Sequence, residues 1–220
     1  MKNLFLSGLL LLFIFSCNND KSATQNQQPP EDSVLAPIQP PDDLKKPAKY
    51  ISSFEKAFID FQTVVFNEDA EGVNAFIDPE RGLYIIENPG ALPKMTLVKD
   101  IRNFKREFQG KSFFTIKDFL QTCELKAEPL PAFNCAGETP ENNAGYSKEG
   151  CFVADAAEFR KTEIHKYASL PKAEVKNINA TLPLVTKTVL QTAGSYRFHF
   201  GYINGKWRVL FIDLRIPCSA

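Results

Sequence analysis

The chain has 220 residues, 44% hydrophobic and 12% aromatic, and its 26 basic side chains balance 26 acidic ones. Length favours one domain of ordinary size with room for an appendage, and the apolar content suffices for a sizeable core, which excludes wholesale disorder. Zero net charge argues against a nucleic-acid binder, and no apolar run reaches the roughly 18 residues of a spanning helix.

Met1-Lys2-Asn3 carries one positive charge, and Leu4 to Phe15 is a short apolar stretch broken by Ser7 and Gly8. These are the n-region and h-region of a secretory signal over residues 1–16, too short for a stable span. The stretch closes Ile14-Phe15-Ser16-Cys17. A small residue directly before a cysteine at that place resembles the lipobox of bacterial lipoproteins. The resemblance implies that Cys17 becomes the acylated N-terminus and tethers the protein to a membrane without spanning it. Three acyl chains exceed the two signals that stable anchoring takes. The acidic-rich segment linked to surface export is poorly matched by Asn18-Asn19-Asp20-Lys21. The expected place is therefore the periplasmic face of the outer membrane.

Residues 17–49 read as a lipid-attached tether. Pro29, Pro30, Pro37, Pro40, Pro41 and Pro47 sit among Gln, Asn, Asp and Lys, and such a segment cannot bury enough surface to offset its ordering entropy. Fully stretched, about 30 residues at roughly 3 Å each would reach about 100 Å. Asp32-Ser33-Val34 resembles the O-glycosylation site of Bacteroidetes, which would place a glycan on Ser33. From Tyr50 onward 21 basic and 21 acidic residues remain, after removing one Lys of the signal and four Lys and five acids of the tether. A neutral body sets up no strong steering field.

The body, 50–220, reads as a single α+β domain. Ser52-Ser53-Phe54-Glu55 fits a capping box, and Phe54, Phe58, Phe61 and Val65 recur on one helical face. Asp69 to Ile77 predicts a second, shorter helix, Gly82 to Ile86 a short buried strand, and Asn88-Pro89-Gly90 a turn. Thr96 is placed to cap a third helix carrying Leu97, Ile101, Phe104 and Phe108, with Gly110 past its end. The second half reads mostly as strands. Ser195 to Ile203 alternates, Asn204-Gly205 signals a two-residue type I′ turn, and Lys206 to Leu214 returns. Counted from that turn, Tyr202, Phe200, Phe198 and Tyr196 face Trp207, Val209, Phe211 and Asp213 on an aromatic core wall. Gly201, His199 and Arg197 face Arg208, Leu210 and Ile212 on a mixed surface.

Four cysteines remain beside Cys17. An even number in an exported chain predicts two disulfides with three possible connectivities. The polar, Gly- and Asn-rich stretch from Asn134 to Gly150 favours Cys135–Cys151, leaving Cys123–Cys218 by elimination. No metal site is expected, because no Cys-x-x-Cys occurs and both histidines lie far from any cysteine. No cofactor motif is present either.

Candidate catalytic groups are few. His165 reads as an exposed helix residue. His199 lies on the mixed face, diagonal to Arg197 and Arg208, either solvated or hydrogen-bonded on a surface face or near an anion. Asp213, opposite Tyr196 on the apolar wall, either performs proton transfer with a raised pKa or satisfies a hydroxyl or backbone amide.

The order of elements in Phe54–Ile77, Gly82–Glu87, Thr96–Phe108 and Ser195–Leu214 resembles the nuclear transport factor two-like cone. That resemblance implies N-terminal helices packed on a curved antiparallel sheet ending in a long C-terminal hairpin. Ile14-Phe15-Ser16-Cys17, the Pro-rich tether and Gly205-Lys206-Trp207 with Phe211-Ile212-Asp213-Leu214 resemble Bacteroidetes-type envelope lipoproteins, families without an assigned activity. Two function classes follow. One is a non-catalytic module that binds a small ligand or an envelope protein. The other is a cone-fold lyase or isomerase that uses Asp213, with Tyr196 or His199, on a small apolar substrate.

Overall fold

The computed structural model describes residues 47–136 and 145–218, with side chains from Ser53 onward, all within one compact unit, Pro41–Ala220. Cys17, Ser33 and the rest of 1–46 lie outside the described residues. Helix α1 (Pro47–Phe66) begins at a proline, five residues before the expected Ser52 cap, inside the stretch read as tether. Proline suits a first helical position, since its missing N–H would have no partner there. The α1 face reads as expected: Phe54, Phe58, Phe61 and Val65 are buried. α2 (Ala70–Phe76) is capped by Asp69, whose carboxylate accepts from Gly72 N at 2.9 Å.

The expected third helix is absent. Lys94–Val98 is instead strand β2, antiparallel to β1 (Leu83–Glu87), followed by one 3-10 turn at Ile101–Asn103. Phe108 is exposed. Asn74 explains the break after Val98: its amide nitrogen donates to Asp100, and its oxygen accepts from Ile101 N. The helical spacing of Leu97, Ile101 and Phe104 is spread over a strand and a turn, because β1 offers a pairing edge that local propensity cannot reveal.

The remaining strands are β3 (Leu125–Ala127), β4 (Phe133–Asn134), β5 (Gly145–Tyr146), β6 (Cys151–Asp155), β7 (Lys187–Gln191), β8 (Tyr196–Ile203) and β9 (Lys206–Asp213). Seven form one sheet in the order β2-β1-β9-β8-β7-β6-β3, while β4 and β5 pair separately. The fold is α+β, with helices on the sheet and a long C-terminal hairpin, but the sheet is mixed: β1–β9 and β3–β6 are parallel. Asn204 and Gly205 both have positive φ, as a type I′ turn requires.

Both faces of the sheet are covered. One carries α1 and α2, with Phe61 edge-on to Phe198 and Phe200 at 5.6 Å. The other carries α3 (Ala157–Arg160), α4 (Lys172–Thr181) and 3-10 turns, with Ile178, Leu182 and Val185 packed around Tyr84, Leu210 and Phe211. The polar residue Asn177 of α4 donates to the Tyr84 hydroxyl at 2.9 Å. Two-sided burial explains why β1 is buried along its whole length and apolar from Leu83 to Ile86 rather than alternating.

The hairpin register holds from the turn to Phe200↔Val209 and then shifts. Next come His199↔Phe211, Phe198↔Ile212 and Arg197↔Asp213, so Leu210 is an extra residue in β9. A one-residue bulge exchanges the faces of everything beyond it. Ile212 therefore joins the first core and Phe211 the second, while Asp213 leaves the aromatic wall for the face of His199 and Arg197.

Two disulfides form, with a connectivity other than the favoured one: Cys123–Cys151 and Cys135–Cys218, at Cα separations of 5.8 and 5.7 Å. The parallel pairing of Leu125 with Cys151 brings Cys123 beside β6. The polar stretch after Asn134 is held at its base by the β4–β5 pair, freeing Cys135 to fasten the chain end. In the chain-entropy picture, closing loops of 28 and 83 residues contributes about 3.5 and 4.5 kcal/mol respectively.

Candidate functional site

On the second face, β7, β8 and β9 floor a cleft of about 830 Å3, in the size range of ligand sites. Thr188, Arg197, His199 and Asp213 come from those strands, and Asp155 from β6. Glu158 and Phe159 of α3 form one wall, the β1–β2 turn at Gly90–Pro93 another, and Ile216 to Cys218 a third. Phe159 is held over the floor because Arg160 beside it donates to Val185 O at 2.8 Å and to Asp155 at 3.0 Å.

His199 is buried, contrary to the solvated alternative, because α3 covers its face. Its ring stacks on Phe159 with centroids 3.5 Å apart and planes at 15°. Nδ1 lies 2.9 Å from Thr188 Oγ1, the cross-strand neighbour in register. Nε2 has no hydrogen-bond partner. Leaving such an atom unpaired in the interior costs about 1–3 kcal/mol. Burial pushes the imidazole pKa down to about 3, with Arg197 and Arg215 adding to the effect and Asp213 opposing it. The ring is thus neutral at physiological pH.

Asp213 lines the same cleft, but its carboxylate is occupied. Arg215 N and Nε donate to Oδ1 at 3.1 and 2.9 Å, and Nη2 to Oδ2 at 2.7 Å. This fork-to-fork pair fixes both oxygens. Tyr196 lies across the sheet in the first core, edge-on to Phe119. The expected Asp213–Tyr196 pair is therefore separated by the bulge, and Asp213 is brought to His199 instead.

Arg208 is also elsewhere: it donates to the carbonyls of Ala75 and Ile77 at the end of α2. The cations near His199 are Arg197 and Arg215. His165 is buried, not exposed, in the 3-10 turn at Ile164–Tyr167, and its Nδ1 has no partner.

The acids of the cleft are matched. Asp155 pairs with Arg160, Glu158 with Lys161 and Asp213 with Arg215. Arg197 donates only to the Tyr146 hydroxyl, at 3.3 Å, among the described residues. Thr188, Phe159 and Arg215 are site residues that sequence reasoning missed. Arg215 stands two residues after Asp213 and could have been noticed, whereas Phe159 reaches the site only through the placement of α3.

Among the described residues no group of acidic, His or Cys side chains could hold a metal ion, and no helix is long and apolar enough to cross a membrane. No family model, curated protein or solved structure matches this chain.

Proposed function

We propose that this protein is an envelope lipoprotein, anchored through Cys17, whose body is a non-catalytic module that holds a small ligand or protein partner in the cleft beside His199. The observation that carries the reading is the state of the cleft. It is open and ligand-sized, yet its central carboxylate is tied to Arg215. A general base needs a lone pair turned to the substrate, and both Asp213 oxygens already accept from Arg215; the neutral His199, with its pKa near 3, is too weak a base to replace it. Tyr196 is out of reach on the other face. These points weigh against the lyase or isomerase alternative.

A thermal-shift screen of metabolites, cell-wall fragments and glycans tests the binding. A ligand at a hundred times its Kd raises stability by about 2.7 kcal/mol. Gly90 lines the cleft, and a Cβ added there has no atom within 4 Å, so Gly90→Trp should obstruct binding without disturbing the fold. Hits that stabilise Gly90→Trp as much as wild type would overturn the cleft as the site. For the anchor, Cys17→Ala should move the protein into the soluble fraction; unchanged membrane association would refute it.

A further inference from the structure

We propose, resting on the cleft as a ligand site, that its ligand is a small monocarboxylate with an apolar tail, the carboxylate lying between the Arg197 guanidinium and His199 Nε2. Arg197 and His199 are two residues apart on β8 and both line the cleft. Their Cα atoms are therefore about 6.5–7 Å apart on one face of the strand, a gap that a carboxylate bridges. Arg197 is a cation without a carboxylate of its own, since Asp155, Glu158 and Asp213 each have another partner. Its planar fork suits a carboxylate, which accepts two parallel N–H bonds.

His199 supplies the independent evidence. It is buried, Thr188 takes its Nδ1, and Nε2 remains unpartnered on a ring that lines the cleft. The Thr188–Nδ1 contact fits either tautomer of the ring; the proposal takes the one in which the Thr188 hydroxyl donates to Nδ1, so that Nε2 carries the hydrogen and is a donor awaiting an acceptor. A single negative charge fits one unmatched cation. A dianion would leave its second charge without a cation, since Arg215 is committed to Asp213.

The apolar tail follows from the rest of the lining. Pro93, Leu130 and Pro217 border the cleft, and an adjoining groove that shares Pro93 and Arg215 continues over Leu92 and Tyr167, both exposed. Polar anchoring at the β8 end and apolar contact with Pro93, Leu130, Pro217 and Leu92, beside the polar Thr162 and Glu163 of the groove, describe an amphiphilic carboxylate.

The test uses the full chain, labelled with 15N on its two histidines, and four probes: hexanoate, N-acetyl-Leu-Leu, hexanamide and hexylamine. His199→Gln assigns the two imidazoles. Hexanoate or the peptide carboxylate should move the His199 Nε2 resonance and leave His165 in place. Whichever binds more tightly identifies a fatty acid or a peptide end as the source. Hexanamide and hexylamine should bind at least tenfold more weakly, and Arg197→Met should weaken the carboxylate at least tenfold while leaving hexanamide unchanged. Equal binding of hexanamide and hexanoate, with His199 still responding, would overturn the carboxylate but keep the cleft as a ligand site. No response of His199 to any probe would overturn the proposal, and the Gly90→Trp screen then judges the cleft independently.

Discussion

The neutral, buried His199 makes the fold sensitive to acid over a definite range. In the unfolded chain the imidazole takes up a proton near pH 6.5, whereas burial delays this in the folded protein to about pH 3. Between those values the unfolded state binds more protons, so stability rises with pH and is lost as pH falls. At pH 7.5 almost no penalty exists; at pH 5 the unfolded state has gained about 1.5 pH units of protonation free energy, or about 2 kcal/mol. His199→Gln removes the titrating group while keeping a polar side chain, so its stability should change far less between the two pH values. Glu128 and Glu163 are held below the usual carboxylate range by hydrogen bonds from Lys148 and Lys166. Their stabilisation is lost only as pH falls through the carboxylate range, below about 4.5, and equally in both proteins. Urea unfolding followed by fluorescence of Trp207, the single tryptophan, packed 4.7 Å from Phe54, measures the difference directly. Equal losses for wild type and His199→Gln between pH 7.5 and 5 would refute the buried, neutral imidazole.

Proteolysis of unreduced, alkylated protein should release the peptide pairs Cys123–Cys151 and Cys135–Cys218 without thiol adducts on these four cysteines. A peptide joining Cys135 to Cys151 would contradict the sheet pairing that separates them. Gly201→Ala drives a methyl into the Leu184 carbonyl and to 2.8 Å from Leu210 Cδ1. Overpacking of this kind costs about 2 kcal/mol, or roughly 4–8 °C in Tm for a domain of this size; a Tm within 1 °C of wild type would show that the strand and the Leu182–Leu184 turn are not so closely packed.

Several features were legible without the fold. The Phe54, Phe58, Phe61 and Val65 stripe needs only helical periodicity, and Asn204-Gly205 needs only the positive φ that a type I′ turn demands. Asp69 caps α2 through an interaction confined to four consecutive residues. The even set of body cysteines likewise foretold two disulfides. Each of these follows from interactions between near neighbours along the chain or from composition.

The candidate site depends on contacts between distant segments. Val209-Leu210-Phe211-Ile212 is an unbroken apolar run in which nothing marks Leu210 as the extra residue, yet it turns Asp213 from Tyr196 toward His199. Thr96 to Phe108 carries a helical spacing that yields to the edge of β1 and to the bonds from Asn74. Cys123 finds Cys151 because β3 lies parallel to β6, a pairing that no local rule specifies. His199 is neutral because Phe159, 40 positions earlier in the chain, covers its ring. Sequence alone thus determined the elements whose energy is local. The face each residue presents, the cysteine partners and the protonation of the imidazole were decided by tertiary structure, because strand register and burial depend on neighbours far away in the chain.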